Sequence, residues 1–200
     1  MKTLSSPSSG SLLIYVHGTN GSGKSTLARA LLAAAGGPFA IGTLNDNPKA
    51  SYTHTNEGVV FIGKYGTACG GVDGLSPYAS INDIVDHHVG MGDPRMFAEG
   101  LITPGVETCQ RLADKVDRHL YIFLDTPVEQ CVENVLKRRR TKGNVKPYDP
   151  DNLLKKRRSA MSWAERLGKH GLQIESMTWI QAYCRCLQML DLQADPRNLL

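Results

Sequence analysis

Residues 12–26, Leu-Leu-Ile-Tyr-Val-His-Gly-Thr-Asn-Gly-Ser-Gly-Lys-Ser-Thr, decide the fold. Leu12–Val16 is an uninterrupted apolar run of the kind that forms a strand buried on both faces. From Ser25 onward, Leu27, Ala28, Leu31 and Leu32 recur at helical spacing with small residues between them. Between strand and helix, Gly18 to Ser25 fits G-x-x-x-x-G-K-[ST], in the context its mechanism demands. Glycines let successive backbone N–H groups turn inward around phosphate oxygens, and the helix N-terminus adds partial positive charge. Gly18, Thr19, Asn20, Gly21, Ser22, Gly23, Lys24, Ser25 and Thr26 are therefore read as a nucleotide cradle. In it Lys24 reaches the terminal phosphates and the Ser25 hydroxyl is a ligand for magnesium. ATP and Mg2+ are the expected cofactors. The motif by itself does not separate kinases from switches, motors or ATPases.

Two hundred residues suit one domain with a single core, and no apolar run approaches the length that spans a bilayer. No membrane partner is expected. The start, MKTLSSPSSG, lacks the apolar centre of a signal peptide and reads as a loose tail over residues 1–11. The expected domain is 12–192, with a second tail over 193–200. Five cysteines, Cys69, Cys109, Cys131, Cys184 and Cys186, are odd in number and form no C-x-x-C pair. Neither a disulfide framework nor a zinc site is favoured, so a reducing cytoplasm is the expected compartment. The net charge of +4 is unevenly spread: residues 137–158 hold ten Lys/Arg against two Asp, a net of +8, and the rest of the chain nets −4. Such a block is either a solvated helix face or a local field for phosphate groups.

Short apolar runs alternate with helical periods, which predicts an α/β fold with a mainly parallel sheet. Strands are expected at Leu12–Val16, Gly58–Ile62, Arg95–Glu99, Leu120–Leu124 and, weakly, Leu172–Ile174. A further run is expected before Leu44-Asn45-Asp46-Asn47. Ser80 reads as the cap of a helix ending near Gly90, and Thr103-Pro104 as a capping hydroxyl before a proline at the first helical position. Thr126-Pro127-Val128-Glu129 reads as a capping box, and Asp149-Pro150 as the restart of a helix after the break at Gly143 to Tyr148. Met177, Ile180, Cys184, Leu187 and Leu190 make a closing helix.

A guanine-nucleotide switch needs N-K-x-D and D-x-x-G after core strands, and neither occurs there. Asp114-Lys115-Val116-Asp117 lies inside an amphipathic helix and reads as surface charge. By contrast LYIFLDTPVEQCVENVLKRRR, from Leu120 to Arg140, resembles the strand, D-x-P turn and arginine-ending helix that precede the lid of nucleotide kinases such as thymidylate kinases. That resemblance implies a three-layer P-loop kinase fold with a helical basic lid over about residues 137–160. It also makes Arg138, Arg139 and Arg140, with Arg157 or Arg158, lid candidates, with Arg138 on the nucleotide and Arg139 catalytic. Guanidinium groups suit that task because they offer forked donors to the charge on a transferring phosphoryl group. Glu99, at the end of the RMFAE strand, resembles the acid that serves magnesium in small P-loop kinases.

Gly63–Leu75, GKYGTACGGVDGL, leaves the carboxyl end of a strand, the edge where α/β folds hold ligands. Its glycines imply unusual dihedrals or a close backbone approach, and an acceptor loop accounts for both. Lys64, Tyr65, Gly70, Gly71 and Asp73 are the substrate-binding candidates. Asp73 is placed to accept the proton of an attacking hydroxyl, and Tyr65 to stack on a base. Asp46 is a weaker competitor for the same proton. Together GTNGSGKST, KYGTACGGVDGL, FAEGL and IFLDTPVEQC resemble phage-encoded P-loop kinases that phosphorylate 5-hydroxymethyluracil within DNA, over about residues 12–190. The resemblance implies γ-phosphate transfer from ATP to a 5-hydroxymethyl oxygen, on a route to hypermodified thymine in the host cell cytoplasm. DNA containing that base is the implied partner, and no oligomer is specified. Two other readings stand beside it: a kinase of free (deoxy)nucleoside monophosphates, and a DNA-stimulated P-loop ATPase or binding module. His17 is read as a satisfied group ending a buried strand. His87-His88 lacks metal spacing, and Trp163 and Trp179 are read as core or rim anchors.

Overall fold

A computed structural model describes residues 10–65, 71–75, 80–92, 94–100, 104–143 and 148–194. The expected cap at Ser80, by its side chain, and the expectations for Cys69, Gly70 and Thr103 lie outside the described residues.

Among the described residues seven strands form one sheet: β1 (Leu12–His17), β2 (Pro38–Leu44), β3 (Asn47–Thr55), β4 (Val59–Ile62), β5 (Arg95–Gly100), β6 (Arg118–Leu124) and β7 (Ile174–Met177), in the order β2-β3-β4-β5-β1-β6-β7. Of these described strands only β3 runs against its neighbours, so the sheet is mainly parallel as expected. The helices are α1 (Lys24–Ala34), α2 (Ser80–Met91), α3 (Val106–Asp114), α4 (Val128–Thr141), α5 (Pro150–Lys169) and α6 (Trp179–Leu190). Alternation along β1 builds the three layers. Leu12, Ile14 and Val16 face a core shared with α1 and α6, while Leu13 and Tyr15 face one shared with α2, α3 and α5. Cys131, Val135 and Leu153 join α4 to α5 in a small third cluster.

Some local expectations hold and others shift. The run before Asn45 is one arm of a β2–β3 hairpin, whose turn places Asn45 and Asp46 at φ 50 and 57. The helix after Pro104 begins at Val106 with Gly105 as its cap, so the proline precedes the first turn. Pro127, with no side-chain bond, caps α4, because the Thr126 hydroxyl donates instead to Ser22 O at 2.8 Å. Asp149 does cap α5, accepting from Asp151 N at 2.9 Å, with Pro150 in the first turn. The last strand starts two residues later than the Leu172 expected, and Leu172 is core. A capping box of Thr178 and Gln181 opens α6, a signal the sequence reading passed over.

Candidate active site

The carboxyl ends of β1, β4, β5 and β6 converge where α/β sheets hold ligands. β1 ends at His17, which is buried beside the Trp163 ring at 4.7 Å between centroids, its Nδ1 2.9 Å from Gly100 O. Burial pushes its pKa down to about 4, so it is neutral near pH 7 and ties two strand ends together.

The loop that follows turns on Gly21 and Gly23, at φ 79 and 95. At Gly21 close approach is decisive: a Cβ would lie 2.3 Å from Cys131 O in α4. That contact, Asn134 Nδ2 donating to Gly21 O at 2.9 Å and the Thr126–Ser22 bond fasten the loop to the root of α4. The Thr19 hydroxyl is buried and faces Leu153 O of α5 at 3.5 Å. Asn20 is half-buried, and Thr26 is exposed in the first turn of α1. Asn134 was missed in the sequence, where an asparagine amid charged helix residues carries no signal.

Lys24 is buried and donates through Nζ to Gly18 O at 2.8 Å and Thr19 O at 3.0 Å. Burial lowers its pKa, while the carboxyls of Glu99 and Asp73 pull it back up and Arg138 pushes it further down. Ser25 Oγ donates to Glu99 Oε1 at 3.2 Å. Glu99 is only 2% exposed; burial raises its pKa to about 7, with Lys24 opposing and Asp73 reinforcing the rise. A buried carboxyl beside a hydroxyl at the head of the cradle fits a hydrated magnesium ion, which takes one or two protein oxygens and completes its shell with water and phosphate. Ser25 and Glu99 are the residues that would hold it.

The glycine loop has a physical explanation. Gly71 (φ 82) lies so close to the end of β5 that a Cβ would fall 2.3 Å from Glu99 O and 2.8 Å from Glu99 Oε1. A Cβ on Gly63 (φ 114) would likewise fall 2.5 Å from Gly71 O. The close approach is therefore to the protein's own acidic strand end. It brings a short 3-10 turn, Val72–Gly74, over Gly100, where a Cβ would meet Asp73 Oδ1 at 3.0 Å. Asp73 is exposed, and its charge is felt at Lys24, Glu99 and His17. Lys64 is exposed at the mouth of the loop. Tyr65 corrects the stacking expectation: its ring is buried edge-on against Phe61, 5.4 Å between centroids, so neither face is offered to a base. Asp46 stands apart, at the exposed tip of the β2–β3 hairpin.

Among the basic residues, Arg138 is exposed on α4 and is the one whose charge reaches Lys24. Arg139 lies over the Tyr148 ring at 5.7 Å. Arg157 folds onto the turn after β6, donating to Thr126 O at 2.7 Å and pairing with Asp125 at 2.5 Å. Trp163 is a core anchor, as expected, its Nε1 donating to Pro104 O at 3.0 Å. Trp179 is partly buried against Gly23 and stacks on Tyr183 at 5.4 Å.

A mainly parallel sheet, a lysine-bearing glycine loop after β1 and two acids whose charges reach that lysine are consistent with a P-loop kinase-like fold. Residues 3–170 match the family described as 5-hmdU DNA kinase, and the chain belongs to that family. It is similar to the 5-hmdU DNA kinase of Pseudomonas phage PaMx11, 27% identical over 183 residues that cover 90% of this chain and 97% of that protein. The 5-hmdU DNA kinase of Pseudomonas phage M6 is 27% identical over 175 residues, covering 83% and 90%. That of Delftia phage PhiW-14 is 27% identical over 177 residues, covering 80% of this chain and 65% of the longer relative. Among the described residues no helix is long and apolar enough to cross a membrane.

Proposed function

We propose that the protein transfers the γ-phosphate of ATP to the 5-hydroxymethyl oxygen of 5-hydroxymethyluracil in DNA, in the cytoplasm of a host cell. The observation that carries this is the convergence of Lys24, Ser25, Glu99 and Asp73 on one strand edge, with Asp73 delivered by the glycine loop. Loop amides from Gly18 to Ser25 hold the phosphates, and Lys24 exchanges its two carbonyl partners for phosphate oxygens. Magnesium, when bound at Ser25 and Glu99, neutralises charge on the phosphate oxygens. Asp73 takes the proton of the hydroxymethyl group as its oxygen bonds to the γ-phosphorus, and the bond from that phosphorus to the β,γ-bridging oxygen breaks to release ADP. Arg138, whose charge already reaches Lys24, supplies donors to the transferring group. A base within a duplex does not reach this edge, so the acceptor is extruded or single-stranded, at a few kcal/mol for unstacking.

The test supplies γ-labelled ATP and magnesium with oligonucleotides containing 5-hydroxymethyluracil, and in parallel with a panel of free nucleoside monophosphates. Label is expected on the modified oligonucleotide alone. Label confined to the free nucleotides overturns the proposal, as does phosphate release stimulated by plain DNA with no labelled acceptor.

A further inference from the structure

The β2–β3 hairpin is not used by the chemistry above, yet its turn points to the same edge. β2 runs with the parallel strands, so its end at Leu44 and the Asn45–Asp46 turn lie at their carboxyl ends. β4 stops at Ile62, opposite Tyr52, while β3 extends past it back to Asn47. There the register jumps from Thr43↔Ser51 to Leu44↔Asn47, leaving Pro48, Lys49 and Ala50 bulged with no partner on β2. Ala50 is buried and Lys49 exposed, and Lys49 N donates to Asn47 Oδ1 at 3.0 Å, which holds the bend. Bulges near active sites serve to re-aim a side chain.

The base of the hairpin is clamped. Gly42 lies flat on the Tyr52 ring, where a Cβ would come within 2.4 Å of Cε2. Tyr52 in turn meets His88 of α2 edge-on, 4.5 Å between centroids. Lys49 is therefore presented by a fixed support.

In the sheet order, β4 with its glycine loop and β5 with Glu99 separate the hairpin from β1, while the lid helix α4 follows β6 on the far side. A strand whose base entered between Asp73 and Lys24 would run along this edge with the lid to one side and the hairpin to the other. We propose that Lys49 binds a backbone phosphate of the DNA strand on the side of the acceptor base away from the lid. The proposal rests on the DNA-kinase reading above. Strands about 4.8 Å apart place β3 about 10–14 Å from the β5–β1 junction, or three to four base steps at about 3.4 Å. Asp46, at the same tip, sets a repulsive charge beside that phosphate.

The test uses oligonucleotides with one 5-hydroxymethyluracil and a single neutral methylphosphonate moved along the strand. With the wild type, KM is expected to rise about fivefold when the neutral linkage lies three or four steps to one side of the modified base. In Lys49→Ala that peak disappears while the lid-side response stays, and the slope of log KM against log salt falls by about 0.7–0.9. Asp46→Asn lowers KM. An unchanged interference profile in Lys49→Ala overturns the hairpin contact even though DNA is phosphorylated. A wild type that phosphorylates only free nucleotides overturns the DNA reading with it. Both variants change exposed residues, and equal melting temperatures show that the fold is kept.

Discussion

Replacing Gly71 by alanine isolates what the glycine loop contributes. Its backbone, at φ 82 and ψ −173, occupies a region essentially restricted to glycine, where another residue costs about 1–3 kcal/mol. The added methyl would also sit 2.3 Å from Glu99 O, about 1 Å inside a normal contact, and the atom it meets is backbone of a central strand that has no room to retreat. The loop must yield instead, carrying Asp73 about 1 Å from its place above Gly100. Misplacement of a reacting group by about 1 Å costs on the order of 100-fold in rate. Gly71→Ala is thus expected to lower kcat about 100-fold, with a smaller rise in KM for ATP because the methyl also falls 2.8 Å from Glu99 Oε1, the acceptor of the Ser25 hydroxyl. Gly74→Ala, in the same short turn, is the control, because among the described residues a Cβ there meets nothing within 4 Å. The assay is label transfer to a modified oligonucleotide at varied ATP, with thermal melting alongside. A Gly71→Ala enzyme within threefold of wild-type kcat, or one no slower than Gly74→Ala, refutes the reasoning.

Other consequences are as open to measurement. Glu99 has a pKa of about 7 when folded against 4.5 as its ordinary value, so the native state holds the extra proton between them and stability falls as pH rises through that window, by about 3 kcal/mol in all. Glu99→Gln should therefore raise the melting temperature of the metal-free protein at pH 8 and lose most of that gain at pH 4.5; equal shifts at both would show that burial does not set this carboxyl. Asn134→Ala removes the bond to Gly21 O and should cost about 1 kcal/mol in denaturant unfolding, with a several-fold rise in KM for ATP. Arg138→Ala should lower kcat at least tenfold and Arg139→Ala by less, because Arg139 lies over Tyr148 while the charge of Arg138 reaches Lys24; the reverse order in single-turnover rates would reassign the lid.

What was legible in the sequence is what depends on neighbours along the chain. The cradle is a strand, a glycine run and a helix start in fifteen consecutive residues, and Asp149-Pro150 declares its helix in two. The hairpin was half seen because β3 opens with Asn47-Pro48-Lys49 and then buries Ser51, Thr53 and Thr55, polar residues that blur the alternation of a strand. Those hydroxyls are acceptable inside because partners from other segments satisfy them, as when Thr53 Oγ1 donates to Gly63 O and Thr55 Oγ1 to Val59 O. Thr126 shows the same limit from the other side. Its spacing to Glu129 is that of a cap, but a carbonyl 104 residues away in Ser22 takes the hydroxyl. Tyr65 sits in a run of glycines that suggests an open loop, and only the packing of β4 on β5 reveals that Phe61 claims its ring.

The root of α4 has no freedom of its own: Cys131 O touches Gly21, Asn134 holds the same glycine's carbonyl, and Thr126 holds Ser22. Exchange of this helix between distant P-loop kinases would therefore fail as a modular graft, because the footing is shared across two segments more than a hundred residues apart. A chimera would have to transplant the glycine turn and the helix as a pair, so that Gly21, Thr126 and Asn134 travel together.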